Sequence, residues 1–266
     1  MSTSSIPVAR LLEERRGRVL LLTISNPLAR NAMSPDLYRA ATPVFRKAAD
    51  DEGIGAIVLA GEGEHFCGGG NLNRLKAQRG LPAAEQVAHL DAFHDWIMAM
   101  RECPKPVIAA VEGAAAGGGF SVALACDLIV AAEDAKLVMS YAKIGLSPDG
   151  GGSDSLAQAL PPQAALEILL NGDVVPVARL HALGVVSRVV PDGSAVSAAL
   201  EWAEKLARGP ALAHGKIKQL VHAARGRSAR AQLDAERDAF IECLYANECG
   251  EGIAAFLEKR PARFHS

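Results

Sequence analysis

Three consecutive glycines, Gly117 to Gly119, separate an apolar run over 106–111 from a small-residue segment ending at Cys126, and few folds have room for that junction. The apolar run reads as a buried strand, and the segment after the glycines reads as a helix. Glycine loses more backbone entropy on folding than any other residue, so three in a row at a helix start imply that something approaches the chain closely. A helix N-terminus also presents unpaired N–H groups and the positive end of a dipole, which suits a developing negative charge. Alone, the triplet is explained equally by tight helix–strand packing and by an oxyanion site with the Gly118 N–H as one donor.

Two further glycine clusters bear on that choice. One is Phe66-Cys-Gly-Gly-Gly-Asn-Leu72, after an apolar run at 56–60; the other is Pro148-Asp-Gly-Gly-Gly-Ser153. Three triplets at element ends are hard to explain as coincident tight turns. They do not make a dinucleotide fold, because Phe66 stands where the third glycine after Gly61-Glu-Gly63 is required, and no Walker lysine follows any loop. Ser121 lies in Gly-Phe-Ser-Val-Ala, not in a nucleophile elbow. The seven histidines are dispersed without i, i+4 pairing, so no metal site is expected.

The rest of the chain alternates strands and helices, then turns helical. Strands are expected at 8–14, 18–24, 56–60, 106–111, 127–132, 136–140 and 185–190. Helices are expected from Ser34-Pro35-Asp36, with Ser34 as N-cap and Pro35 in the first turn, and over 83–101, where Val87, Leu90, Phe93, Ile97 and Met100 fall roughly in phase. Residues 143–153 read as loop, and short helices are expected at 164–170 and 176–183. From 194 the pattern is helical to the end, at 194–207, 210–225, 228–245 and 250–259. This is an α/β core over 1–193 followed by a helical region over 194–266. Residues 1–6 are polar and expected to fray.

Composition narrows the function classes. A 50% hydrophobic content with only 5% aromatics implies a large core built from Ala, Val and Leu. The net charge of -2 gives no reason to expect nucleic acid or an anionic membrane as partner. Five scattered cysteines without a CxxC pair point to buried thiols in a reducing compartment. No apolar run has the length of a membrane span, the first residues do not read as a secretory signal, and Phe-His-Ser is not the peroxisomal tripeptide. A cytoplasmic chain is expected.

Several segments together carry a resemblance: Asn26-Pro-x-x-x-Asn-Ala32, Gly63-x-x-Phe-Cys-x-Gly-x-x-Leu72, Lys105-Pro-Val-Ile-Ala-Ala-Val-x-Gly113, Gly117-Gly-Gly, Ala125-Cys-Asp127, Gly145-Leu-x-Pro148 and Glu251-Gly-x-x-Ala-Phe-x-Glu-Lys-Arg260. In this order and spacing the chain resembles the crotonase superfamily, the enoyl-CoA hydratase/isomerase family of fatty acid metabolism. The resemblance implies a spiral of ββα turns and a helical C-terminal region that builds a trimer or a dimer of trimers. It also implies an acyl-CoA thioester as substrate, with coenzyme A as part of that substrate and no prosthetic group. The two backbone donors to the thioester oxygen then fall on Gly70 and Gly118. Gly68, Asn71 and Leu72 fall along the CoA arm, Ala29 and Arg30 near its phosphates, and Phe256 with Lys259 toward the nucleotide of the same or a neighbouring subunit.

The catalytic residues depart from the hydratase pattern. Hydratases of this family position water with two glutamates, and the matching positions here are Ser121 and Tyr141, neither a general base near neutral pH unaided. Asp149 stands where phenylacetate-type isomerases and certain dehalogenases of the family carry an aspartate; the structural alternative is a turn residue in Asp-Gly. The expectation is an enoyl-CoA isomerase using Asp149 alone. The alternatives are a hydratase in which the hydroxyls bind water, and a silent CoA-thioester-binding scaffold. Asp127, Glu112, Cys67 and His65 are expected to be structural, with His65 exposed, and Asn71 to keep a local hydrogen bond.

Overall fold

The computed structural model describes residues 8–265, so the expected fraying of 1–6 lies outside the described residues. Six strands form the main sheet: β1 (Arg10–Arg16), β2 (Val19–Ser25), β3 (Ala56–Gly61), β4 (Val107–Val111), β6 (Leu128–Ala132) and β9 (Arg188–Val190), in the order β1-β2-β3-β4-β6-β9. The β1–β2 pair is antiparallel, closed by Gly17 at φ 58°, and the other pairings are parallel. β5 (Ala114–Ala116), β7 (Lys136–Val138) and β8 (Val174–Val175) make a smaller second sheet.

The continuously apolar runs are explained by burial on both faces. Side chains alternate across a strand, so Leu20, Leu22 and Ile24 enter one core while Val19 and Leu21 enter another; Ile57 and Leu59 split from Val58 and Ala60 in the same way. The larger core lies under α1 (Pro35–Asp50) and α3 (Ala83–Glu102). The smaller is closed by α8 (Ala195–Ala207), whose Ala199, Ala203 and Ala207 let it lie close on β3 and β4. The segment from 194 thus begins with a core helix. Beyond it come α9 (Ala211–Ala223), α10 (Ala229–Leu244) and α11 (Asn247–Leu257), which expose Val221, Leu233, Phe240, Tyr245, Phe256 and Leu257. Among the described residues no helix is long and apolar enough to cross a membrane.

Element positions follow the sequence pattern with local exceptions. β5 and β8 carry no strand signal: three alanines in one case, two valines in the other. Helix α5 (Gly152–Ala159) begins inside the last glycine triplet, and a 3₁₀ turn covers Ser140–Ile144, so the expected 143–153 loop is shorter than its glycine content suggests. Ser34 holds the N-cap position of α1, but its hydroxyl makes no capping bond and is buried without a partner among the described residues. In α3, Phe93, Ile97 and Met100 are buried as the spacing requires, whereas Val87 and Leu90 are exposed, because the first half of the helix projects past the core.

The first two glycine junctions follow strands, β3 and β5, and the third opens α5. After β4 the chain turns at Gly113 (φ 51°), leaves the main sheet and enters β5. Helix α4 (Gly118–Ala125) then returns it to β6. Each such excursion is one ββα turn of a spiral.

Candidate active site

The first two glycine loops are fastened to each other by backbone. The Cys67 N–H donates to Ala114 O at 2.9 Å, and the Ala116 N–H donates back to Cys67 O at 2.9 Å. Gly69 adopts φ 87°, and a Cβ there would overlap Ala116 O and come within 3.4 Å of Gly118 N. A Cβ on Gly119 would overlap Cys67 O. Gly69 and Gly119 are therefore required by close approach, as the packing explanation expects, and that packing brings the Gly70 and Gly118 strands of chain to one cleft. Gly118 opens α4, and among the described residues neither its N–H nor that of Gly70 donates to a protein acceptor.

Asn31 fixes the outer side of the first loop. It is fully buried in a left-handed conformation (φ 55°), accepts from the Asn26 N–H at 2.9 Å and donates to Glu62 O (2.9 Å) and His65 O (2.6 Å). The Gly68 N–H then donates to Arg30 O at 2.7 Å, which sets Ala29 and Arg30 beside the loop. Asn71 caps α2 (Leu72–Gln78), its Oδ1 accepting from the Arg74 N–H at 3.1 Å, so the expected local hydrogen bond is present.

The third loop brings in the acid. Gly150 and Gly151, both at positive φ, let the chain pass against Phe93 and Ser121. This carries Asp149 to Gly118, where a Cβ would stand 3.7 Å from Asp149 Oδ1 and 3.6 Å from the Tyr141 hydroxyl. Tyr141 donates to Asp149 Oδ1 at 2.5 Å. Burial pushes the Asp149 carboxyl above the ordinary carboxylate range, while the Tyr141 hydrogen bond and the charge of His94 pull it partly back. Burial and the neighbouring Asp149 raise the Tyr141 phenol as well, so it stays a donor at neutral pH. Asp149 is thus no mere turn residue.

Gly68, Gly70, Asn71, Leu72, Gly118, Tyr141 and Asp149 all line one cleft of about 320 Å³. Ser121 does not: it is fully buried behind the wall, and its hydroxyl donates to Asp149 O at 2.9 Å and stands 3.3 Å from the Tyr141 hydroxyl. The expectation of Ser121 as a pocket side chain is corrected accordingly, because the α4 turn aims it at the backbone of the acid. Phe256 is 84% exposed on α11, and neither it nor Lys259 lines this cleft. Tyr38, Arg74, Gln78 and His89 do line it and were not singled out by sequence reasoning. Their only signal was position, on the helices that bracket the first glycine loop.

The residues expected to be structural are so. Asp127 accepts from the Val107 N–H (2.8 Å) and pairs with Lys218 (2.8 Å) and His222 (2.9 Å). Glu112 accepts from the N–H groups of Gly193 (3.1 Å) and Ala195 (2.6 Å) at the start of α8. Cys67 is wholly buried, and burial pushes its thiol up to about 12, which leaves no thiolate to act as nucleophile. His65 is half-buried rather than exposed, its Nδ1 accepting from the Ala114 N–H at 3.3 Å.

Two amides from separate glycine turns, unpaired among the described residues, with one carboxylate beside Gly118, make a site suited to a carbonyl whose α-proton is removed, and a parallel ββα spiral carries it. The chain belongs to the enoyl-CoA hydratase/isomerase family: the family profile of that description matches residues 14–266. Among solved structures it is similar to an enoyl-CoA hydratase from Polaromonas sp. JS666, at 46% identity and TM-score 0.94, over 96% of this chain and 100% of that one. Among curated proteins it is 32% identical to the 1,2-epoxyphenylacetyl-CoA isomerase of Escherichia coli K12, over 92% of this chain and 94% of the relative. It is 33% identical to the 2,3-dehydroadipyl-CoA hydratase of the same organism, over 97% and 99%. The chain is therefore an enzyme of CoA-thioester chemistry.

Proposed function

We propose that the enzyme moves the double bond of an enoyl-CoA, with Asp149 as its single acid/base. The observation that carries this reading is that Asp149 is the one carboxylate in the cleft wall among the described residues, and it lies against Gly118. The Asp149 carboxylate takes a proton from an allylic carbon, and negative charge moves onto the thioester oxygen. The Gly70 and Gly118 amides hold that oxygen, and Asp149 returns the proton two carbons along. One such amide is typically worth about 3 kcal/mol of transition-state stabilisation. A raised carboxyl pKa suits both halves of the exchange.

Gly68, Asn71 and Leu72 would run beside the pantetheine arm, with Ala29 and Arg30 toward the phosphates. Phe256 and Lys259 would then serve the nucleotide of a neighbouring subunit, since they lie away from their own cleft. The exposed apolar side chains of α9 to α11 support assembly into a trimer or a dimer of trimers, and light scattering on the purified protein tests it. Five free cysteines support a cytoplasmic enzyme.

A hydratase is the second reading, favoured by the similarity to the Polaromonas enoyl-CoA hydratase and by the Tyr141 hydroxyl in the cleft wall. The deciding experiment assays purified protein on 2-enoyl-CoA and 3-enoyl-CoA beside Asp149→Asn. Isomerase activity that vanishes in the variant while CoA-thioester binding survives supports the proposal. Hydration undiminished by the change supports the hydratase, and thioester binding without turnover in the wild type supports a scaffold.

A further inference from the structure

The cleft wall opposite the glycine loops is made of side chains from α2 and the first half of α3. Gln78 Nε2 and His89 Nδ1 hydrogen-bond at 3.1 Å, and Gln86 Nε2 donates to Gln78 O at 3.3 Å, so these three satisfy one another. Arg74 differs. Its partly buried side chain lines the cleft, yet among the described residues its guanidinium makes no hydrogen bond or ion pair. Lys143, in the facing wall, is already paired with Asp173 at 2.7 Å.

Tyr38 is the second unsatisfied group. Its ring stacks on Phe93 with centroids 4.7 Å apart, and among the described residues its hydroxyl has no partner. Burial, then the negative charge of Asp149, push this phenol up, while Arg74 opposes them, so the hydroxyl stands in the fields of both Asp149 and Arg74. A partly buried guanidinium without an anion is free to bind one, and a carboxylate on its planar fork makes two parallel charge-assisted hydrogen bonds. Arg74 shares the cleft with Tyr38 and Asp149, and Tyr38 stands near both, so Arg74 meets the acyl group on the side of the acid. The nucleotide end of CoA falls on the other side of Gly68, toward Ala29 and Arg30.

Resting on the reading that this cleft binds acyl-CoA, we propose that its preferred acyl group ends in a carboxylate, held by the Arg74 guanidinium with the Tyr38 hydroxyl. The substrate class is the CoA monothioester of a short unsaturated dicarboxylic acid.

The test is calorimetric binding of two saturated thioesters that cannot react, hexanoyl-CoA and its ω-carboxylated counterpart of equal length. Wild type should bind the carboxylated thioester about tenfold more tightly, the worth of one charge-assisted contact. Arg74→Gln should erase that preference, Arg74→Lys should keep part of it, and Tyr38→Phe should reduce it. Equal affinities in the wild type would overturn the proposal, as would an Arg74→Gln variant that weakens both thioesters alike. Neither ligand isomerises, so a failed role for Asp149 leaves this ratio standing. If wild type binds neither thioester, the acyl-CoA reading falls instead.

Discussion

The two walls of the cleft are built on different principles. The glycine wall is backbone: Gly69 and Gly119 pack so tightly against Ala116 and Cys67 that neither has room for a side chain, and cross-loop hydrogen bonds fix their register. The α2–α3 wall is side chain: Leu72 and Leu90 are exposed, and its polar groups are partly unsatisfied. Reaction geometry belongs on the first kind of wall, because preorganised donors must not move as charge develops. Selectivity belongs on the second, where a side chain can change without disturbing the amides.

That contrast is most exposed to failure at Asp149. Asp149→Asn keeps shape and still accepts from Tyr141, so turnover should fall about 10²- to 10⁴-fold, the worth of a positioned acid/base, with KM little changed. The fold should gain. The folded-state pKa of Asp149 lies above its unfolded value, so wild type is most stable below the ordinary carboxylate range and loses stability as pH rises through the raised folded value. Asparagine mimics the protonated form, so the variant's melting temperature should exceed wild type by most at alkaline pH and converge with it in acid. A variant that melts lower at every pH would mean the carboxylate is a structural keystone.

Gly69→Ala should come next. A Cβ at φ 87° pressed on Ala116 O must displace the loop that carries the Gly70 amide. Activity should fall about 10²- to 10³-fold, the usual effect of losing one oxyanion donor. Thermal melting should also drop. Full activity in this variant would show that the glycine wall tolerates movement, and the contrast between the walls would fail.

The sequence makes the first wall legible and the second largely not, for a physical reason. A close backbone approach leaves a compositional mark, since only glycine fits at Gly69 and Gly119, and so the triplets pointed to the loops, within which the family resemblance singled out Gly70 and Asp149. Strands buried on both faces, such as β2 and β3, likewise announce themselves as unbroken apolar runs. By contrast, Ser121 and Tyr141 occupy equivalent positions in the family pattern, yet one lines the cleft and the other braces Asp149 from behind. That difference depends on which way the α4 turn faces. Arg74 and Tyr38 look like ordinary residues on amphipathic helices, and the chain gives no local sign that they lack partners. Val87 and Leu90 misled for the same reason: helical periodicity marks a face, but not whether anything covers it.

Tyr141→Phe sharpens how the first wall tunes its acid. The phenol donates to the charged form of Asp149, so removing it must raise the Asp149 pKa further. The acid limb of the kcat/KM profile should move to higher pH. Above that limb the rate should change by less than about tenfold, because a stronger base offsets poorer positioning. An unmoved limb would mean that another group titrates in the profile.

Leu90→Ala should have the smallest effect and asks most directly whether the walls are separable. Leu90 is 41% exposed and lines the cleft from α3, remote from any glycine contact. Truncating a side chain so little buried removes part of one acyl contact, worth about 1 kcal/mol, so KM for a long acyl-CoA should rise a few-fold. A thioester too short to reach α3 should keep its KM, and kcat should hold for both, since neither amide nor Asp149 rests on this residue. If kcat falls together with the rise in KM, the α3 wall takes part in placing the thioester, and the division of labour drawn from the two walls is wrong.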